Sequence, residues 1–165
     1  MTTADVRAFM EPFRMVVMAS TDSERFAHAS TAPYVRVEND FFILISTVAQ
    51  HGRNLLKNPD VSLLFAEDES ICEQPFARNR VTVNAKACEI ARTDGIYADV
   101  LKRFKERFDP ELVATLSQMG DFHLFRLTPS GGSAVSGFGR AYRLNENLEV
   151  STQMVGHHQH GGKNG

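Results

Sequence analysis

The stretch RVTVNAKACEIA, residues 80–91, decides the fold of this chain. Every second residue from Val81 to Ala87 is apolar, and Glu89 continues the same face. A period of two places alternate side chains on opposite faces of a β-strand. The run is long for a strand, so we predict that it pairs with a neighbour on each side.

Shorter strand patterns lie on both sides of this stretch. They cover residues 15–19, 33–37, 41–46, 61–65, 122–127, 133–136 and 139–144. The sequence Glu38-Asn39-Asp40 predicts a hairpin, and the run PSGG at residues 129–132 predicts a turn. Many short strands with turns between them predict a mostly β barrel.

Three segments have helical patterns instead. Residues 2–10 and 50–59 predict short helices that a proline ends. Residues 94–119 predict two helices, the second opening at Pro110. We therefore predict a mostly β (α+β) fold, a barrel with helices covering its ends and a two-helix insertion between strands. Residues 1–150 form the barrel domain in this prediction, and residues 151–165 form a histidine-rich tail.

Composition excludes several classes of function. At 165 residues the chain is the size of one domain. Its formal net charge of −2 and its scattered basic residues argue against a nucleic-acid partner. No apolar run is long enough to cross a bilayer, and the first residues lack the pattern of a signal peptide, so we expect a cytoplasmic protein without a membrane partner. Cys72 and Cys88 are expected to be reduced thiols.

The segment GHHQHGG, residues 156–162, holds His157, His158 and His160 between glycines. Neutral imidazole is a common ligand of transition metals and haem iron, and glycine lets the backbone fold over a bound group. Composition alone also fits a frayed polar terminus. A nickel or zinc trap is a third interpretation, although histidines this close do not form a tetrahedral site unaided.

Four stretches resemble the flavin-binding split-barrel superfamily, whose best-known members oxidise pyridoxamine phosphate. They are residues 51–59, 77–83, 120–127 and 136–142. Within that superfamily the chain is most similar to the haem-utilisation proteins of the HugZ/HutZ type, because a Gly-Phe-Gly-x-Ala-Tyr segment is followed by a histidine-bearing tail. The resemblance implies a split β-barrel that forms a homodimer and binds haem at the dimer interface.

The resemblance also implies an activity and an iron ligand. The haem ring would be opened oxidatively to release iron, with O₂ and an electron donor as co-reactants. The ligand would come from the tail, with His158 placed first, His157 second and His160 as a further haem contact. A second family feature is an arginine on the far side of the haem, which maps to Arg80 with Arg78 as the competing assignment.

A third family feature is an aspartate that hydrogen-bonds the ligating histidine, and Asp121 matches it. Such a partner fixes the tautomer and basicity of a metal-bound imidazole. Phe138 and Gly139 are candidates for packing against a flat ligand. Each residue also has an ordinary interpretation: a surface ion pair for Arg80, a turn for Asp121, and a bend in the strand for Gly139.

Two other functions fit the same resemblance. An FMN-dependent oxidoreductase is one, because His51 matches a superfamily position near the flavin phosphate. The sequence shows no glycine-rich loop that would supply the converging donors of a phosphate site. A non-catalytic haem storage or delivery protein is the other, and the sequence does not separate it from the enzyme.

Overall fold

A computed structural model describes residues 1–154 of the chain, so the predicted ligands His157, His158 and His160 lie outside the described residues. The strands are β1 (Met15–Thr21), β2 (Ala27–Val37), β3 (Asp40–Ser46), β4 (Asp60–Ala66), β5 (Arg80–Ile90), β6 (Phe122–Val135), β7 (Ala141–Leu144) and β8 (Val150–Met154). The helices are α1 (Thr3–Met10), α2 (Gln50–Lys57), α3 (Gly95–Arg107) and α4 (Pro110–Gln118). Two short 3₁₀ turns, Glu69–Ile71 and Pro75–Ala77, lie between β4 and β5.

The eight strands form one antiparallel sheet in the order β3-β2-β1-β4-β5-β6-β7-β8. An additional pairing of β3 with β6 closes six of them into a barrel, and β7 and β8 extend the sheet beyond β6. The long strand predicted at residues 80–91 is β5, and it pairs with β4 and β6 as expected. The mostly β barrel with a two-helix insertion is confirmed.

Alternation along the strands fills the barrel interior. Tyr34, Phe41 and Phe65 pack there with ring centroids 5.6–5.7 Å apart. α1 adds Val6 and Met10 to the same cluster. Burial of this apolar surface is the main stabilising contribution to the domain.

The insertion covers the outer wall of the barrel, so the prediction that helices cover its ends was wrong for α3 and α4. A second apolar cluster joins Phe42, Leu44 and Leu124 of the wall to Val100 and Phe104 of α3. β3 is therefore buried on both faces. A strand with apolar residues on both faces needs a layer on each side, and the helices supply the outer one.

The predicted turn at residues 129–132 was also wrong, because β6 continues through it. Ser130 is an extra residue opposite Asn84 and Ala85, which makes a β-bulge. Pro129 has no N–H to donate, and it lies after the end of the β3 pairing and before the start of the β7 pairing. Proline is tolerated in a sheet at such bulges and unpaired positions.

Three further observations bear on the predictions. Among residues 1–154, no helix is long and apolar enough to span a bilayer. Within the same range, no cluster of three or more His, Cys, Asp or Glu side chains is arranged to hold a metal ion. Cys72 and Cys88 are both free thiols.

Candidate functional site

The predicted site residues lie at two ends of the barrel. Arg80 begins β5 and pairs with Val135 at the end of β6. Asp121 immediately precedes β6, next to the level at which Ile90 ends β5. Along β6, Asp121 lies 14 residues before Val135, the partner of Arg80, or roughly 46 Å of strand at about 3.3 Å per residue. One chain therefore does not bring Arg80 and Asp121 together.

The Arg80 end carries exposed apolar side chains. We call it the Phe138 rim, formed by residues 67–80 and 136–140. Ile71, Phe76 and Phe138 are 69%, 89% and 69% exposed. The rim borders a cavity of about 610 Å³ that Phe138 lines. Exposed apolar groups clustered around a cavity mark a surface that binds a ligand or another protein.

The backbone holds both predicted arginines in place at this rim. Arg78 Nε donates to the Glu67 carbonyl oxygen at 2.6 Å. Arg80 Nη1 donates to the Arg78 carbonyl oxygen at 3.0 Å, and its side chain is exposed. Arg80 is thus the arginine better placed to reach a ligand, whereas Arg78 braces the segment before β5.

The glycines of the rim lie in a tight turn between β6 and β7. Ser136 N donates to the Arg140 carbonyl oxygen at 3.0 Å. Gly137 and Gly139 have φ values of +103° and +66°, a backbone region that favours glycine. The turn therefore explains these glycines, and it presents Phe138 at its tip.

Asp121 ties the start of β6 to the end of β3. Its carboxylate accepts a hydrogen bond from Ser46 Oγ at 2.5 Å. Its carbonyl oxygen accepts from Thr47 N at 2.7 Å and from Thr47 Oγ1 at 3.1 Å. These contacts fix the carboxylate in a half-buried position. The second oxygen of the Asp121 carboxylate can still accept a hydrogen bond from another donor.

An acid–imidazole pair that was not predicted from the sequence lies beside Asp121. His123 Nδ1 contacts Glu89 Oε1 at 2.5 Å. The strand register places Glu89 opposite Phe125, so His123 is its diagonal neighbour. The sequence predicted only that β5 pairs with a neighbour on each side. It did not predict the register that brings Glu89 and His123 together.

The HGRN motif of residues 51–54 serves packing and hydrogen bonding in α2. A Cβ on Gly52 would overlap the Ser46 carbonyl oxygen, so the helix lies directly on the end of β3. Asn54 is buried, donates to Ser20 Oγ at 3.0 Å and accepts from Gln50 Nε2 at 2.7 Å. Buried amides need such partners. The motif positions α2 against the barrel.

The described residues around His51 do not fit a flavin phosphate. Burial, and secondarily the charge of His28, lowers the pKa of His51, so the imidazole is neutral near pH 7. The Arg53 guanidinium donates to the Val48 carbonyl oxygen and, at 2.7 Å, to Gln50 Oε1. A phosphate site needs several free cationic or N–H donors that converge. The neutral His51 ring adds no charge, and Arg53 keeps only the N–H groups left over from these two bonds, so the two side chains do not form a converging set.

Known proteins are similar to this chain in sequence. The family model for pyridoxamine 5′-phosphate oxidase matches residues 2–136. Heme oxygenase HutZ of Vibrio cholerae serotype O1 is 39% identical over 140 residues, which are 85% of this chain and 79% of HutZ. The chain belongs to the pyridoxamine 5′-phosphate oxidase family and is a homologue of HutZ.

Solved structures of related proteins also resemble this chain. A crystal structure of Vibrio cholerae HutZ, described as the heme storage protein, has a TM-score of 0.71 and 37% identity, covering 76% of this chain and 88% of that one. A crystal structure of Campylobacter jejuni ChuZ has a TM-score of 0.79 and 28% identity, covering 90% of this chain and 61% of ChuZ. The predicted resemblance to the HugZ/HutZ type is confirmed.

Proposed function

We propose that this protein binds haem in a site shared by two protomers and opens the haem ring oxidatively to release iron. The observation that carries the proposal is the 39% identity to Heme oxygenase HutZ over 79% of its length. The exposed apolar side chains of the Phe138 rim suit a flat apolar ligand. A storage function without ring opening is the second candidate, because a HutZ structure is described as that of a heme storage protein.

The strand register supports a site shared by two protomers. β8 ends at Met154, which pairs with the first residue of β7, beside the Phe138 rim. His158 follows Met154 by four residues, and four residues of chain span at most about 14 Å. Met154 lies three strands from Arg80, or roughly 14 Å at about 4.8 Å per strand, so we expect the tail of one protomer to reach its own Arg80 only when it is nearly extended. The carboxylate would be the partner's Asp121, since Asp121 of the same chain lies at the other end of the barrel.

The outer face of β1 is the surface we assign to the homodimer. Met15 and Val17 point outward there and are 45% and 43% exposed. Val17 is flanked by Thr31 of β2 and Leu64 of β4. A flat sheet face with exposed large apolar residues is typical of an interface between copies of one chain.

Each side chain has a distinct role in this proposal. Bound haem supplies iron whose redox state and O₂ affinity the pocket adjusts. The tail imidazole would hold the iron, and the partner's Asp121 would accept a hydrogen bond from the other ring nitrogen, which would make the imidazole a stronger donor. Arg80 would donate hydrogen bonds within the haem pocket, and Phe138 would exclude water.

Titration with hemin tests the binding site. The protein is expected to give a Soret band that shifts in the H157A/H158A double variant, while His28→Ala, a control that removes a histidine of β2, is expected to leave it unchanged. Asp121→Asn keeps an acceptor for Ser46 and is expected to shift the band by a smaller amount. An unchanged spectrum in the double variant rejects the tail ligand.

Mixed dimers test whether the site is shared. One chain carries H157A/H158A and the other carries Asp121→Asn. If the tail of one protomer meets the partner's Asp121, each heterodimer contains one native site and one site with both defects. Half of the native haem spectrum is then expected to return. No recovery in an isolated heterodimer contradicts a shared site.

Ring opening is separated from storage by its products. With ascorbate and O₂ present, and catalase added to remove stray peroxide, bound haem is expected to bleach and release iron that a ferrous chelator detects. Arg80→Met is expected to slow the bleaching while hemin still binds. Retention of the full haem spectrum in the unmodified protein leaves the storage function.

A further inference from the structure

Three arginines from separate elements line one cavity away from the Phe138 rim and from Asp121. Arg7 comes from α1, Arg36 from the end of β2, and Arg107 from the end of α3. The cavity has a volume of about 500 Å³. Its other walls include Met10 and the buried Tyr34. This volume is in the range of sites that hold small molecules.

The cavity carries a net positive charge, since its three arginines outnumber Glu11 and Glu38. Among residues 1–154, none of the three guanidiniums forms an ion pair with a carboxylate. Glu11 and Glu38 also line the cavity, but both are exposed to solvent, which screens their charge. Burial lowers the pKa of Arg36 and the like charge of Arg7 lowers it further, whereas Tyr34 and Glu11 act in the opposite direction.

Two of the guanidiniums keep a buried donor without a partner. The Nε atoms of Arg36 and Arg107 are buried and have no hydrogen-bond acceptor within the described part of the chain. A buried charged donor without an acceptor costs free energy, so such groups are rare in folded proteins. Because these Nε atoms are inaccessible to solvent, an anion in the cavity would contact the two guanidiniums through their outer Nη atoms and would compensate their charge together with that of Arg7.

Packing already fixes the positions of these groups. The Arg107 guanidinium lies over the Tyr34 ring at 5.5 Å and donates to the Phe13 carbonyl oxygen. The Arg36 guanidinium lies over the Phe41 ring at 5.4 Å. Contacts of this kind hold a guanidinium plane in one orientation, which reduces the entropy lost when a ligand binds.

We propose that this cavity binds a small organic oxyanion, a phosphate monoester or a carboxylate, through Arg7, Arg36 and Arg107. Guanidinium forks match both groups through paired hydrogen bonds. The cavity is much larger than a bare phosphate, so the organic part of the ligand would lie against Met10 and Tyr34. The proposal does not depend on haem binding.

Calorimetric titration with two matched probes, phenyl phosphate and benzoate, tests the proposal on the full-length protein. Saturable one-to-one binding of at least one probe is expected, and the stronger probe identifies the preferred oxyanion. Arg36→Gln is expected to weaken binding by roughly tenfold or more, in line with loss of a charged hydrogen bond. Arg7→Gln, at an exposed position of α1, tests the same site with little risk to folding.

Arg103→Gln is the control, because Arg103 is an exposed arginine of α3 that does not line this cavity. It is expected to leave probe affinity unchanged. Hemin titration of Arg7→Gln is expected to match the unmodified protein, which separates this site from the haem proposal. Absence of saturable binding by both probes, or equal weakening by Arg103→Gln, overturns the proposal.

Discussion

Gly52 illustrates how a backbone contact accounts for a motif residue. A side chain there would overlap the Ser46 carbonyl oxygen, and Ser46 also binds Asp121. Gly52→Ala is expected to reduce the free energy of unfolding by roughly 1–3 kcal/mol, because α2 must move away from β3. Urea unfolding of the variant and of the unmodified protein measures this loss of unfolding free energy. Gly120→Ala is the control, since no atom lies within 4 Å of a Cβ there, and an equal loss in both variants contradicts the explanation.

His51 gives the protein a pH-dependent stability. Its pKa is lowered in the folded state by burial and then by His28. The unfolded chain therefore takes up a proton near pH 6.5, where the folded protein does not. Because the unfolded state binds more protons, stability falls as the pH drops from about 6.5 toward the lower pKa of the folded state.

The expected result is a smaller loss of unfolding free energy between pH 7.5 and 5.5 in His51→Gln than in the unmodified protein. Urea unfolding at the two pH values measures this loss. His28→Asn removes the secondary cause and is expected to give an intermediate loss. The same pH dependence in all three proteins contradicts the assignment to His51.

At the scale of elements, the outer wall of the barrel depends on α3 and α4. Leu124 of β6 is 1% exposed in the cluster that the helices cover, whereas Leu112 of α4 is 55% exposed. Leu124→Ala is expected to cost roughly 2–5 kcal/mol of unfolding free energy, the usual range for a buried leucine. Leu112→Ala is expected to change it by less than about 0.5 kcal/mol. Similar losses in both variants contradict this packing.

Local patterns in the sequence predicted most of the elements, and their failures have a physical cause. β5 was predicted because one of its faces points into the barrel along most of its length. β6 was divided at Pro129 because proline and glycine normally end a strand. The bulge that accommodates Pro129 depends on where β3 and β7 pair with β6, and this information is not local.

The candidate site was predicted by residue type but not by position. Resemblance selected Arg80, Phe138 and Asp121, and the register then placed Asp121 at the opposite end of the barrel from the other two. The arginine cavity was not predicted at all. Arg7, Arg36 and Arg107 are far apart in the sequence, and only the closed barrel brings α1, β2 and α3 together.

At the scale of the whole molecule, residues at the two ends of the barrel can contribute to one haem site only if two copies associate. β8 ends at Met154, three strands across the sheet from Arg80, whereas the carboxylate that would support the tail imidazole is at the other end of the barrel. A twofold axis repeats each surface, so one end of each protomer can face the opposite end of its partner. The haem proposal therefore requires a homodimer.

The outer face of β1 makes this requirement testable. Val17→Glu places a charge at the centre of the assigned interface, where two copies would bring like charges together, and it is expected to convert the dimer to a monomer. Sedimentation velocity at micromolar concentration measures the mass, and circular dichroism checks that the barrel stays folded. Leu112→Glu, at an exposed apolar position on α4 outside the assigned interface, is expected to have the same mass as the unmodified protein.

Hemin titration of the same variants connects assembly to function. A monomeric Val17→Glu protein lacks the partner's Asp121, so it is expected to bind hemin more weakly and with a shifted Soret band. Leu112→Glu is expected to bind hemin as the unmodified protein does. A folded Val17→Glu monomer with the unmodified haem spectrum contradicts a site built from two protomers, because all contacts to the haem would then come from one chain.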